Sequence, residues 1–203
     1  MRQALLSPEE FVGISGVAHL CTGGEAPILQ SHLTALARFA ADKGDGMVGR
    51  ERMFDVYRSA KQHLSDLVNR PASDIALLGS ASEGVNVVAH SLDWRAGDNV
   101  VFADIEYPSM IYPWTRFADH GLNLRVVPTR NYLLDLTDLR AAVDERTRLV
   151  AVSQVSYLTG QRVNLPAVAD IAWQVGARLL VDATHALGAV EVDANYCDFL
   201  VSS

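Results

Sequence analysis

The sequence predicts an α/β fold built on a mostly parallel sheet. From Pro71 onward, short apolar runs alternate with segments of helical periodicity, the pattern of repeated strand–helix units. Several of the runs are apolar without interruption, Leu179-Leu180-Val181 most clearly, as a strand covered on both faces requires. Polar residues then gather where the strands end, and in open α/β sheets ligands bind outside the carboxyl ends of strands.

Taken in order, residues 1–17 read as a short helix with Ser7-Pro8-Glu9-Glu10 as its cap signal. Ala18–Cys21 reads as a short strand before Thr22-Gly23-Gly24. Residues 26–42 and 50–69 predict two helices, with Ile28, Leu29, Leu33, Leu36 and Phe39 in helical register on the first. The second carries Met53, Val56, Tyr57, Leu64, Leu67 and Val68. The glycine-rich stretch 43–49 between them lacks the Gly-Lys-Ser/Thr ending of a phosphate loop and reads as a flexible linker.

Strands follow at Ile75–Leu78, Asn99–Ala103, Leu124–Val127, Arg148–Val152, Arg178–Val181 and Phe199–Val201. Helices fall between them at Ser82–His90, Met110–His120, Thr137–Val143 and Leu165–Val175. Ser82, Ser109 and Thr137 read as helix caps, and Pro166 suits a first turn. The expected division is an N-terminal helical segment, 1–70, and an α/β domain, 71–203.

At 203 residues and 49% apolar, the chain can bury a substantial core. A formal net charge of −7 gives no attraction to nucleic acid or to an anionic membrane surface. No apolar run is long enough to span a bilayer, and the N-terminus lacks a secretion-signal core. Cys21 and Cys197 have no metal-ligand spacing and read as small hydrophobes. A soluble, cytoplasmic protein is the expectation.

Four strand exits carry chemistry. Gly79-Ser80-Ala81-Ser82-Glu83-Gly84 opens a helix, whose free N–H groups and positive dipole end suit a phosphate. Tyr107, in Asp104-Ile105-Glu106-Tyr107-Pro108-Ser109, offers a ring for stacking. Ser153 to Gly160 supplies hydroxyl and amide donors, with Gly160 permitting a sharp turn. Asp182 ends its strand, with Thr184 and His185 beyond; it either bonds loop amides or meets a cationic ligand atom. A phosphorylated aromatic heterocycle with a basic ring nitrogen would use all four.

Gly79-Ser-Ala-Ser-Glu-Gly-Val-Asn86, Glu106-Tyr-Pro-Ser109, Val152-Ser-Gln-Val-Ser-Tyr-Leu-Thr-Gly160 and Val181-Asp-Ala-Thr-His-Ala-Leu-Gly188 together resemble class V aminotransferases. These are fold-type I, pyridoxal-phosphate-dependent enzymes that include cysteine desulfurases, kynureninases and isopenicillin N epimerase-like proteins. The resemblance implies the three-layer αβα large domain of the PLP-dependent transferases, an amino acid substrate and a homodimer. It implies that Ala81 and Ser82 hold the cofactor phosphate, with Ser203 a further phosphate contact. Tyr107 would stack on the pyridine, Asp182 would pair with its nitrogen, and His185 with Ser156 would lie near the ring hydroxyl.

Tyr157 stands where many relatives have Asn, and Tyr107 where His is commoner. Lys43 and Lys61 are the only lysines, and neither matches the family's Schiff-base lysine, which the resemblance places beyond Ser203. The family's seventh, antiparallel strand would also come from beyond it and lie between Phe199–Val201 and Ile75–Leu78. A gap or rearranged edge beside Ile75–Leu78 is therefore expected. A noncatalytic module that keeps the fold without the lysine is the alternative to an enzyme.

Overall fold

Residues 6–203 are described by a computed structural model, in which contacts divide the chain into two units, 1–63 and 64–203.

In the first unit, Ser7 caps as its sequence suggests. Its hydroxyl accepts the Glu9 N–H, and the Glu10 carboxylate accepts the Ser7 N–H. The result is one 3-10 turn, Pro8–Glu10, not a helix reaching residue 17. Residues 1–5 of that expected helix lie outside the described residues. Ala18–Cys21 forms no strand, and Cys21 is exposed, not buried.

Two helices follow, α1 (Gln30–Gly44) and α2 (Gly46–Val68). The expected linker between them is almost entirely helical; Asp45 alone separates them. The glycines serve a tight corner. A Cβ on Gly49 would lie 1.7 Å from the Asp42 carbonyl oxygen, and Gly46 has φ +61°. Arg52 closes the corner with 2.6 Å bonds to both Asp42 and Asp45.

The second unit carries a five-stranded, all-parallel sheet of β1 (Asn99–Ala103), β2 (Asn123–Val127), β3 (Thr147–Ser153), β4 (Arg178–Asp182) and β5 (Phe199–Val201). Its order is β2-β1-β3-β4-β5. Alternate side chains point to opposite faces. Val100, Phe102, Leu149, Ala151 and Leu180 meet α3 (Ala81–Ser91) and α4 (Pro108–Ala118). Val101, Val150, Val152, Leu179 and Val181 meet α5 (Leu136–Ala142) and α6 (Leu165–Gln174) on the other. The unit is the three-layer αβα arrangement expected.

Three helices begin one or two residues before their expected starts. Ser80, not Ser82, caps α3 by accepting the Glu83 N–H, so Ser82 lies within the first turn. Tyr107, not Ser109, is the cap residue of α4, with Pro108 at its first position. Asp135, not Thr137, caps α5 by accepting the Thr137 N–H at 2.7 Å.

Ile75–Leu78 forms no strand. It follows a 3-10 turn, Ala72–Asp74, and stays outside the sheet. A groove of about 580 Å³ is lined by Ile75–Leu78, Gly84, Leu200 and Val201. A four-residue run with no ladder partner gains nothing from strand geometry. The rearranged edge expected beside this segment is present.

At the amino ends of the strands, Asp144 joins three elements. It accepts from the buried Asn99 amide (2.9 Å), from Arg125 (2.6 Å) and from the Arg146 N–H (2.9 Å). Burial pushes its carboxyl up, but the bonds from Arg125, Asn99 and Arg146 outweigh that and hold it at about 2. The stabilisation is therefore present above the ordinary carboxylate value and is lost as pH falls through about 2. Asp144→Ala should cost about 1–3 kcal/mol in urea unfolding at pH 7, because the Asn99 amide is left buried without its acceptor. A cost below about 0.5 kcal/mol would contradict that hydrogen-bond assignment.

Candidate cofactor site

β4 delivers Asp182 to the carboxyl edge of the sheet, 7% exposed. Its Oδ1 accepts the Thr184 N–H at 2.9 Å, the loop-amide bond that an Asp at a strand exit makes readily. No described residue donates to Oδ2. The backbone carries the network onward. Thr184 Oγ1 accepts the Ser203 N–H at 3.2 Å, and Ser203 Oγ accepts the Ala81 N–H at 3.3 Å. Asp182, Thr184, Ser203 and Ala81, from two strand exits and one helix start, thus form one hydrogen-bonded chain.

Ala81 is the first residue of α3, so its amide belongs to the helix end that favours anions. Glu83 steadies the approach, its Oε2 accepting the Gly79 N–H at 2.7 Å. Ser82, exposed in the first turn of α3, shares an open cleft with Asn86, Tyr107, Tyr112 and Arg116.

Tyr107 is 48% exposed and meets Tyr157 edge to face, ring centroids 5.2 Å apart. Tyr157 therefore acts as a wall for Tyr107. Ser156 is half-buried and occupied in its own turn: its hydroxyl accepts the N–H groups of Leu158 (3.3 Å) and Thr159 (3.4 Å). Gly160 closes that turn at φ +70°. His185 is half-buried in the turn after β4. The structure joins Ala81 to Ser203 directly and Ser203 to Asp182 through Thr184, places Ser82 and Tyr107 on one cleft, and links neither Ser156 nor His185 to them by a hydrogen bond.

Glu106 has no role in the sequence reading, although it stands in the quoted Glu-Tyr-Pro-Ser stretch. It is buried at the exit of β1 and turns inward to β3. Its Oε1 accepts the Ser153 N–H at 2.9 Å, and its Oε2 lies 2.5 Å from Ser153 Oγ. Burial pushes its carboxyl up to about 7, against the pull of the Ser153 and Tyr107 bonds and with a further push from Asp182. A carboxylate just before a Pro-started helix was the available signal.

Cys197 is partly buried, and burial together with the neighbouring Asp198 charge pushes its thiol up to about 12. It is not a thiolate at neutral pH. Among the described residues, no group of three His, Cys, Asp or Glu could hold a metal ion, and no helix is long and apolar enough to cross a membrane.

The model of the class-V aminotransferase family matches residues 28–203. A cysteine desulfurase of Dickeya dadantii is 41% identical over 139 residues, covering 65% of this chain and 34% of that protein. One of Salmonella typhimurium is 36% identical over 162 residues, covering 75% of this chain and 39% of that protein. The chain thus spans little more than a third of the length of these curated relatives. Among solved structures, a lysine-to-alanine mutant of C-DES, with glycine covalently linked to its PLP cofactor, superposes with TM-score 0.88 at 21% identity. It covers 98% of this chain and 55% of that one, a likeness of fold. The apo cysteine desulfurase of Thermococcus onnurineus gives TM-score 0.67 at 29% identity, over 72% of this chain and 38% of that one.

Proposed function

The chain belongs to the class-V aminotransferase family, and from that premise we propose that residues 64–203 form the cofactor-binding part of an enzyme that uses pyridoxal phosphate to act on an amino acid. Cysteine is the favoured substrate and sulfur removal the favoured reaction, because the relatives with the quoted identities are named cysteine desulfurases. The same relatives favour an enzyme over a noncatalytic module. A homodimer and a cytoplasmic location belong to the same reading.

The residues fit the cofactor. Asp182 keeps Oδ2 without a donor at a strand exit, and the hydrogen-bonded chain through Thr184 and Ser203 ends on the Ala81 amide at the head of α3. An acceptor for a protonated ring nitrogen and a cradle for a phosphate therefore lie on one edge of the sheet. Bound there, pyridoxal phosphate supplies an electron sink for bond breaking at the amino acid α-carbon.

The chain's own residues then have these tasks. Asp182 holds a proton on the ring nitrogen, because a carboxylate nearby favours the charged form. Ala81, Ser82 and Ser203 bind phosphate through helix-end amides and hydroxyls. Tyr107, braced by Tyr157, covers a ring face. Ser156 and His185 stand on the loops that follow β3 and β4, suited to the ring hydroxyl. Cys197, its thiol pushed up to about 12 by burial, is poorly suited to accept sulfur. Lys43 and Lys61 sit on α1 and α2, in the first unit.

The Asp182–Thr184–Ser203–Ala81 chain carries this reading. Pyridoxal phosphate should bind the 203-residue chain noncovalently, measured by equilibrium dialysis. Asp182→Ala should weaken binding about ten- to a hundredfold, the loss of one charge-assisted hydrogen bond. Equal affinity in the two proteins would defeat the reading.

A further inference from the structure

Two carboxyl groups occupy neighbouring positions at the carboxyl edge of the sheet. Ser153 pairs with Asp182 in the β3–β4 register, and the Gln154 N–H donates to the Asp182 carbonyl at 2.9 Å. Glu106 grips that same Ser153 from the other side, with both oxygens. The groups that act on its charge are Ser153 from β3, the Tyr107 amide from the start of α4, and Asp182 from β4. No described cation is among them. A cleft of about 10 Å³ beside it is lined by Leu134, Ser153, Ser156 and Gln161, room for about one water molecule.

Burial without a cation, beside Asp182, suits a carboxylic acid. Ser153 Oγ and Glu106 Oε2 lie 2.5 Å apart, and either oxygen can carry the proton between them; with the proton on Glu106, Oε2 would donate while Oε1 accepts the Ser153 N–H, and both oxygens stay satisfied. As a carboxylate, it would only accept, and its charge would face that of Asp182 in a buried setting. Ionisation would also reverse the Ser153 hydroxyl, which would then have to donate to Oε2.

We propose that Glu106 is a positioning residue of the cofactor site: it stands as a neutral acid clasping Ser153, adds no second negative charge beside Asp182, and anchors Tyr107 at the head of α4. The proposal rests on the reading of Asp182 as the partner of the ring nitrogen. It explains why a carboxyl is buried here without a cation. A neutral acid ties the β1 exit to the β3 exit while adding no second charge next to the first.

The test has two arms. In the cofactor-free chain, carbon-13 NMR of the glutamate carboxyls should show Glu106 ionising near neutral pH, and Asp182→Asn should move that ionisation down. In the second arm, pyridoxal phosphate affinity is measured at pH 6. Glu106→Gln, whose amide donates to Ser153 Oγ and accepts its N–H as the neutral acid does, should stay within about threefold of wild type; Glu106→Ala should lose about tenfold or more, the range for one buried hydrogen-bonding partner.

Rescue by Gln separates an uncharged clasp from a charge requirement. Ionisation of Glu106 in the ordinary carboxylate range, no response to Asp182→Asn, or Gln binding as poorly as Ala would each overturn the proposal while cofactor binding by the wild type persists. If Glu106→Ala does not fold, the NMR arm decides alone. Failure of the wild-type chain to bind pyridoxal phosphate would instead overturn the cofactor reading and this proposal with it, whatever Glu106 does in the first arm.

Discussion

Trp114→Ala is expected to cost about 3–5 kcal/mol, the range for emptying a fully buried aromatic site. Trp114 is 0% exposed. It lies on the inner face of α4 among Val100, Phe102 and Met110, and meets Trp94 edge to face with ring centroids 6.1 Å apart. Its indole N–H donates to the Met110 carbonyl at 2.5 Å, so even the polar end is satisfied. Little around it can collapse into the space, because the floor is the sheet itself. The effect should also reach the candidate site. α4 begins directly after Tyr107, and a loosened α4 releases the ring that Tyr157 braces. Trp114→Phe should cost less, keeping much of the buried area while dropping the N–H. Urea unfolding followed by circular dichroism measures both. A cost below about 1 kcal/mol for the alanine variant would mean that α4 is not seated on the sheet as described.

The second large effect is a dependence of stability on pH. Glu106 is raised from its ordinary 4.5 to about 7. Between those values the folded chain holds a proton that the unfolded chain has released. Stability from this group is therefore full below the ordinary value, falls as pH rises, and levels off above about 7. The loss across the window is on the order of 3 kcal/mol. Glu106→Gln carries the same hydrogen bonds without a titrating proton, so its profile should lack this slope. Unfolding free energies of wild type and Glu106→Gln at pH 4.5 and pH 8 should differ far more at pH 8, with the variant the more stable there. Parallel profiles would show that Glu106 is an ordinary carboxylate. Asp144 gives the opposite sign at the other end of the sheet, its contribution disappearing only in strong acid.

The strands most legible in the sequence are those whose side chains are apolar on both faces. Asn99–Ala103 and Phe199–Val201 fall where the apolar runs place them, and Arg178–Val181 extends by one residue to take in Asp182. Helix starts were less legible. Ser80 and Ser82 are equally good caps by type, and the choice between them depends on which hydroxyl reaches the Glu83 N–H. The glycines of 43–49 look like flexibility in sequence. In the folded chain they serve close approach of backbone to backbone, which Gly49 permits against Asp42.

What the sequence by itself determined is whatever depends on neighbours along the chain: the α/β class, the alternation of strand and helix, and a carboxylate at the end of a buried strand. Periodicity and composition report burial locally, so these features are written within windows of a few residues. Tertiary structure decided which distant groups meet. Ser203 reaches the Ala81 amide across 122 positions, and Glu106 reaches Ser153 across 47. It decided also that Ile75–Leu78 stands outside the sheet. A hydrogen bond of that kind, and the desolvation that keeps the Glu106 proton in place, exist only when the sheet has brought its strand exits together.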